Sequence, residues 1–234
     1  GKGTSWPLTR AGVYESGKAW TWTYVKDITL YAQWKPITYT ITYDGNGATN
    51  GSMTNSSHTY DIDKNLNVNR FTKTGYTFKC WNTKADGTGH NYTNQELVKN
   101  LSETNSSTVI LYAQWNANHY KVKFNANGGT GTMEEQSFIY DQPQNLAQNT
   151  FTRIGYTFDG WATTYNGNVI YKDKQSVKNL TSTNDGTVIL YAKWTANKYK
   201  VTYNTNGGTG TMDSDTATYD SNFITKKNAF TKTG

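Results

Sequence analysis

Few side chains in this sequence could carry proton, thiol or metal chemistry. His58, His90 and His119 could act as bases or metal ligands, Cys80 as a nucleophile, and the adjacent Glu134 and Glu135 as paired carboxylates. The run Asp61-Ile62-Asp63-Lys64-Asn65 sets oxygens at alternate positions, as a calcium loop begins, but the glycine and closing glutamate of such a loop do not follow. No HExxH, GxSxG or phosphate-loop pattern occurs. A second group could bind without reacting. Trp81 and Trp161 could stack on sugar faces. Lys121, Lys123 and Lys200, with Lys198 beside them, could meet an acidic polysaccharide, teichoic acid or a phosphorylated surface.

Composition limits the scaffold that must position these residues. The 234 residues suit one or two domains. Aromatic residues make up 15% and charged residues only 17%, and Thr, Asn and Gly are abundant, so strands and turns are favoured over helices. That many aromatics can bury large apolar areas, which argues against disorder. No apolar run reaches the length of a transmembrane helix. The single Cys excludes a disulfide framework within the chain. A net charge of +6 without a readable motif excludes nucleic acid as a partner. No signal peptide opens the sequence, so an export signal is expected outside it.

An internal repeat organises the chain. LYAQW ends at Trp34 and Trp115, and LYAKW ends at Trp194, with spacings of 81 (115 − 34) and 79 (194 − 115). Each is followed by an alternating strand beginning at Tyr39, Tyr120 or Tyr199, then by a glycine turn ending at Met53, Met133 or Met212. FTKTGYTFKCW (Phe71–Trp81) matches FTRIGYTFDGW (Phe151–Trp161), and FTKTG closes the chain. The expected division is a divergent second half at 1–35, full modules at 36–116 and 117–195, and a first half at 196–234. In the N-terminal part Trp20, Trp22 and Tyr24 alternate, as do Ile28, Leu30, Ala32 and Trp34, which predicts two strands around a turn. Trp6, Trp20 and Trp22 have no counterparts in the other copies, and the GYTF strand is missing there.

Within one copy, Tyr39, Ile41 and Tyr43 share a strand face, as do Tyr120, Val122 and Phe124. Asn46-Gly47, Asn127-Gly128 and Asn206-Gly207 supply the positive φ of a tight hairpin turn. Further strands are predicted near 57–60, 76–81, 137–140 and 156–161. The last strand carries Val109, Leu111, Ala113 and Trp115, or Val188, Leu190, Ala192 and Trp194, on one face. Leu97, Val98 and Leu101 are spaced as on one short helix. The expected class is therefore α+β and β-dominated. Only four residues separate Trp115 from Tyr120 and Trp194 from Tyr199, roughly 14 Å at full extension, so neighbouring modules must nearly touch.

The repeat register weakens every chemical candidate. The three histidines occupy different module positions, and Cys80 aligns with Gly160, so it reads as a small core or edge residue. Glu134 and Glu135 have no equivalents in the first copy and read as a solvated turn. Only Asp61, Asp141 and Asp220 recur from the calcium-like run, where an Asp leaving a strand caps the turn. The N-x-S/T triplets at Asn55, Asn91, Asn100, Asn105 and Asn179 matter only in a eukaryotic secretory route. A Lys–Asn isopeptide bond would need a repeated core Lys, and Lys121 and Lys200 become Thr40. No catalytic residue, metal or cofactor is expected. Trp115 and Trp194 keep period with apolar neighbours and read as core. Trp81 and Trp161 alternate away from Tyr76/Phe78 and Tyr156/Phe158, which makes them candidate exposed platforms unless they fold over the core edge. The lysines read as a solvated strand face unless they meet an acidic partner.

These motifs, the alternating strand, NGG-x-G-x-M, FTKTGYTF-x-GW and LYAQW, resemble the Listeria–Bacteroides repeat, found as B-repeats in internalin-type bacterial surface proteins. The resemblance covers nearly all of residues 37–234. It implies tandem ubiquitin-like β-grasp modules, secretion and attachment to a bacterial cell surface or cell wall. The implied role is a stalk, adhesin spacer or filament-forming module, with a glycan- or cell-wall-polymer-binding array as the alternative. Expected partners are neighbouring repeats, then a host or bacterial surface protein or glycan. The half modules at the two ends also allow head-to-tail self-association.

Overall fold

The computed structural model describes residues 5–8, 12–15, 17, 19, 21, 25, 27, 29–32 and 34–234, with backbone pairing only for 5–8 and 12–15. It divides into two units, Gly1–Asn116 and Ala117–Gly234. In the first unit, β1 (Ser5–Leu8) and β2 (Gly12–Glu15) form an antiparallel ribbon that the sequence did not announce. The module that follows comprises β3 (Thr38–Asp44), β4 (Ser56–Thr59), β5 (Lys64–Asn65), β6 (Tyr76–Asn82), β7 (Asn91–Tyr92), β8 (Leu97–Val98) and β9 (Thr108–Ala117). The second unit repeats it with β10 (His119–Asn125), β11 (Gln136–Ile139), β12 (Gln144–Asn145), β13 (Tyr156–Ala162), β14 (Ser176–Val177) and β15 (Gly186–Ala196), then continues into β16 (Lys198–Val201) and β17 (Asp215–Thr218).

The main sheets run β4-β3-β9-β6-β7 and β11-β10-β15-β13. The first and last long strands of each module are adjacent and parallel, β3 with β9 and β10 with β15. Alternation along these strands sends one face into a core. Tyr39, Ile41, Tyr43, Leu66, Trp81, Val98, Leu111 and Ala113 fill the first. Tyr120, Val122, Phe138, Leu146, Phe151, Trp161, Val177, Leu190 and Ala192 fill the second. Val109 and Trp115 lie half-buried against the first core, and Val188 and Trp194 against the second, so the face expected for the last strand is the one observed. The Asn-Gly turns have the expected positive φ, 45° at Asn46 and 81° at Gly47. The turn closes on itself, Ala48 N–H donating to Gly45 O at 3.1 Å, but the chain reaches β4 only after the whole 45–55 loop.

The helix expected around Leu97–Leu101 is not formed, and no helix occurs among the described residues. Leu97–Val98 instead pairs with Lys64–Asn65. Gln95 and Asn100 both take left-handed backbone (φ 59° and 57°), as Lys174 and Asn179 do in the second module (56° and 58°). Bounded that closely, the segment is shorter than the costly first turn of a helix can sustain. Val98 enters the core while Leu97 stays 59% exposed.

The strand expected at Ile28–Trp34 is also corrected. Leu30, Ala32 and Trp34 are exposed and belong to no strand, while Ile28 lies outside the described residues. In the full module the equivalent strand pairs with the GYTF strand, as β13 does with β15, and the GYTF sequence does not occur in residues 1–34. Trp20, Trp22 and Tyr24 lie outside the described residues.

The two cores differ at one polar chain. In the first module Asn67 N–H donates to Tyr43 Oη (2.8 Å), Tyr43 Oη meets Ser56 Oγ (3.1 Å), and Ser56 Oγ meets His58 Nε2 (3.0 Å). His58 stacks on Tyr39 at 5.6 Å, whereas Phe138 stacks on Tyr120 at 5.4 Å in the second module. His58 is 1% exposed and its Nδ1 has no partner. Burial lowers its pKa below the usual histidine value, and the nearby Lys64 ammonium lowers it further. The unfolded chain therefore takes up the proton first as pH falls. The first module is expected to hold its stability above about pH 6.5, the ordinary histidine value, and to lose it progressively as pH falls below that. His58→Phe should abolish that slope. Urea melts at stepped pH check this, with the second module as reference; equal slopes in both modules would contradict it.

Candidate functional site

The most developed polar arrangement outside the cores joins the second module to the repeat that follows. Only Asn197 lies between β15 and β16, so the linker is nearly all strand. Its backbone is held from both sides: Asn197 N–H donates to Gly155 O (2.9 Å), and Tyr219 N–H donates to Asn197 O (2.8 Å). Its side chain is held as well, Thr157 Oγ1 donating to Asn197 Oδ1 (2.6 Å). Strand pairing places Tyr156 opposite Ala196 and Thr157 opposite Thr195, which fixes where the linker leaves the sheet.

Aromatic packing covers this frame. Tyr156 and Tyr219 meet edge to face at 5.6 Å, and the Arg153 guanidinium lies 3.9 Å over the Tyr156 ring. Tyr156 Oη donates to Asp220 Oδ2 at 3.0 Å, a bond that raises the phenol pKa, with desolvation adding to it. Asp220 takes φ 57°, a left-handed turn at the exit of β17, and so aims its carboxylate back at the tyrosine. Gly155 has φ 77°, and a Cβ there would overlap the Tyr219 ring. Glycine is thus required twice, for its backbone angle and for the approach of the ring.

The residues singled out as possible ligand contacts are placed otherwise. Trp81 and Trp161 are both 0% exposed, which corrects the expectation of sugar-stacking platforms. Trp81 packs against Tyr43 (4.9 Å), Phe78 (5.1 Å) and Phe71 (6.3 Å), and Trp161 against Phe124 (4.8 Å), Phe158 (4.9 Å) and Phe151 (6.2 Å). In the second module Gly160, at φ 145°, marks a bulge between Phe158 and Trp161 that helps turn the indole inward. Lys121 and Lys123 meet on Glu135 at 3.3 and 2.8 Å, and the hydrogen bond from Lys123 leads the causes that hold that carboxyl below its usual pKa. These pairs are exposed and contribute little to stability. Glu135 is therefore the partner of the basic pair, where the sequence read only a solvated turn. Lys200 sits exposed on β16 and does not join them.

The remaining candidates pack against neighbours or bond across turns. Cys80 is buried, its Sγ 3.3 Å from Asn91 Oδ1, and desolvation raises its pKa, which suppresses the thiolate. His90 packs on Tyr92 at 4.7 Å. Asp61 forms a reciprocal clasp: its N–H donates to Asn100 Oδ1 (2.6 Å), and Asn100 Nδ2 donates to Asp61 Oδ1 (2.9 Å). Asp141 and Asn179 repeat the clasp at 2.6 and 2.8 Å. This is the turn-capping role the recurrent Asp suggested. Among the described residues no group of three His, Cys, Asp or Glu could hold a metal. The joint escaped sequence reasoning, although its signals were present: Asn recurs at 118 and 197, Gly-Tyr-Thr at 75–77 and 155–157, and Tyr-Asp at 140–141 and 219–220.

Comparison with known proteins bears on the same segments. The family model of the Listeria-Bacteroides repeat domain matches residues 39–114, 120–193 and 199–234. A protein of Evansella cellulosilytica, provisionally named a Gly-rich membrane protein, is 34% identical over 188 residues, covering 78% of this chain and 20% of that protein. A second protein of the same organism, provisionally named a membrane protein, is 28% identical over 188 residues, covering 77% of this chain and 24% of its own length. The chain thus spans about a fifth to a quarter of the curated relatives it matches.

Proposed function

We propose, from the premise that this chain belongs to the Listeria-Bacteroides repeat family, that it is a non-enzymatic spacer on the outside of a bacterium, holding another domain at a set distance from the surface. The joint around Asn197 carries this reading. A linker needing only tether two modules has no use for a glycine fitted to a tyrosine ring, a paired phenol and carboxylate, and an asparagine bonded through backbone and side chain. Such a joint limits bending, which is the property a spacer requires. Burial of Trp81 and Trp161 removes the main support for a sugar-binding array. The membrane names of the relatives agree with a place at the cell envelope. Among the described residues no helix is long and apolar enough to cross a membrane.

The module is a β-grasp variant on this reading. The order β4-β3-β9-β6-β7 with a parallel central pair supports it, with the β5–β8 ribbon standing where such a fold would carry its helix.

Surface display tests the function. An epitope held by the chain on a bacterial surface should lose antibody access as modules are deleted. It should regain access when an unrelated rigid spacer of equal length replaces them. Access or adhesion that only the native sequence restores would mean that the modules bind a ligand, and the spacer reading would fall.

A further inference from the structure

We infer that each full module is a mechanical clamp, built to stay folded when its two ends are pulled apart. The chain enters a module at the start of β3 and leaves it at the end of β9, and these strands are parallel neighbours, with Thr40 to Asp44 opposite Thr108 to Tyr112. Tension from the two chain ends pulls β3 and β9 in opposite directions along their length. All the ladder bonds between them are then loaded at once, in shear. Had the strands been antiparallel, the same tension would open the bonds one after another from one end. The second module has the same layout, Tyr120 to Asn125 lying opposite Gly186 to Tyr191.

Side chains lock the ladder at both ends, and they include the most recurrent residues of the repeat. At the far end of β3, Asn46 Nδ2 donates to Ala113 O (2.9 Å) and Trp115 Nε1 donates to Gly45 O (3.0 Å). The second module copies both bonds, Asn127 Nδ2 to Ala192 O (2.8 Å) and Trp194 Nε1 to Ala126 O (2.9 Å). At the near end Ser106 N–H donates to Thr38 O (2.7 Å) and Thr38 N–H to Asn105 Oδ1 (3.1 Å), while Asp185 N–H donates to His119 O (2.7 Å) and His119 N–H to Asn184 Oδ1 (3.2 Å). The Asn-Gly turn and the Trp of LYAQW or LYAKW therefore do more than turn the chain and fill the core. They tie the entering strand to the leaving strand where tension arrives. The clamp deepens the spacer reading, because a spacer between a surface and an attached load is the element that carries the force.

Single-molecule pulling of the full chain from its two ends tests the clamp. Each full module should give way in one step. The 80 residues from Thr38 to Ala117 (117 − 38 + 1), at roughly 3.3–3.6 Å each less a folded span of roughly 30 Å, release about 230–260 Å. Pulling the first module from handles at Lys35 and Glu103, which line one depression at the same end of the sheet, loads the same strands as a zipper. At equal force the end-to-end lifetime should exceed the zipper lifetime at least about tenfold, a barrier difference of ~1.4 kcal/mol. Asn46→Gly keeps the left-handed turn but removes the lock, and Trp115→Phe removes the indole N–H while keeping an apolar ring. Each should shorten the end-to-end lifetime and leave the zipper lifetime unchanged. Equal lifetimes in the two directions, or variants that shorten both alike, would overturn the clamp. Either result would leave the spacer reading standing, since that reading is tested by display and not by force.

Discussion

Trp161→Ala is expected to destabilise the second module by about 3–5 kcal/mol, the cost of removing a large aromatic from a packed core. The indole is fully buried and ringed by Phe124, Phe151 and Phe158. Its neighbours belong to three separate segments, so the void cannot close by one small shift. A small domain holds only about 5–15 kcal/mol in total, so the variant module is left near its folding limit. Trp161→Phe should cost distinctly less, because Nε1 makes no hydrogen bond and part of the ring volume is kept. Denaturant melts followed by circular dichroism check this, with the first module as internal reference. A loss under about 0.5 kcal/mol, the range of ordinary surface substitutions, would place the indole at the surface and restore the sugar-platform reading.

The same residue shows where sequence reading stops. Counting alternate positions from Tyr156 and Phe158 puts Trp161 on the opposite face. The bulge between Phe158 and Gly160 shifts the register by one and turns the indole into the core. Period-two reasoning has no term for that shift, although Gly160 was its visible trace. Where strands are regular, alternation succeeds: Tyr39, Ile41, Leu111 and Ala113 all face the core as their spacing requires. The expected helix failed for a related reason, since Asn100 and Asn179 adopt left-handed backbone that apolar spacing does not register. The joint was legible as recurrence of Gly-Tyr-Thr and Tyr-Asp, but sequence does not show that residues over 60 positions apart, Tyr156 and Asp220, share a hydrogen bond. The ribbon β1–β2 carried no repeat signal at all.

Gly155→Val is expected to open the joint while leaving the second module folded. The substitution imposes a side chain on a left-handed backbone, at a cost of roughly 1–2 kcal/mol, and drives that side chain into the Tyr219 ring. The ring must leave, and with it go the edge-to-face contact on Tyr156 and the alignment of Asp220 with the tyrosine hydroxyl. Gly155 stands just before β13 and outside the second core, so that core should retain most of its stability. Tyr219→Ala removes the same contacts with no demand on the backbone at Gly155, and it should loosen the joint in the same direction.

On the spacer reading the joint holds neighbouring repeats in one arrangement. Pulsed electron–electron distance measurement tests it most directly, with spin labels at Asn166 of the second module and Lys227 of the following repeat, in a chain whose Cys80 is replaced by Ala. Both label positions are exposed. The parent chain should give one narrow distance distribution that broadens in Gly155→Val and Tyr219→Ala. A broad distribution in the parent chain, unchanged by either substitution, would contradict it.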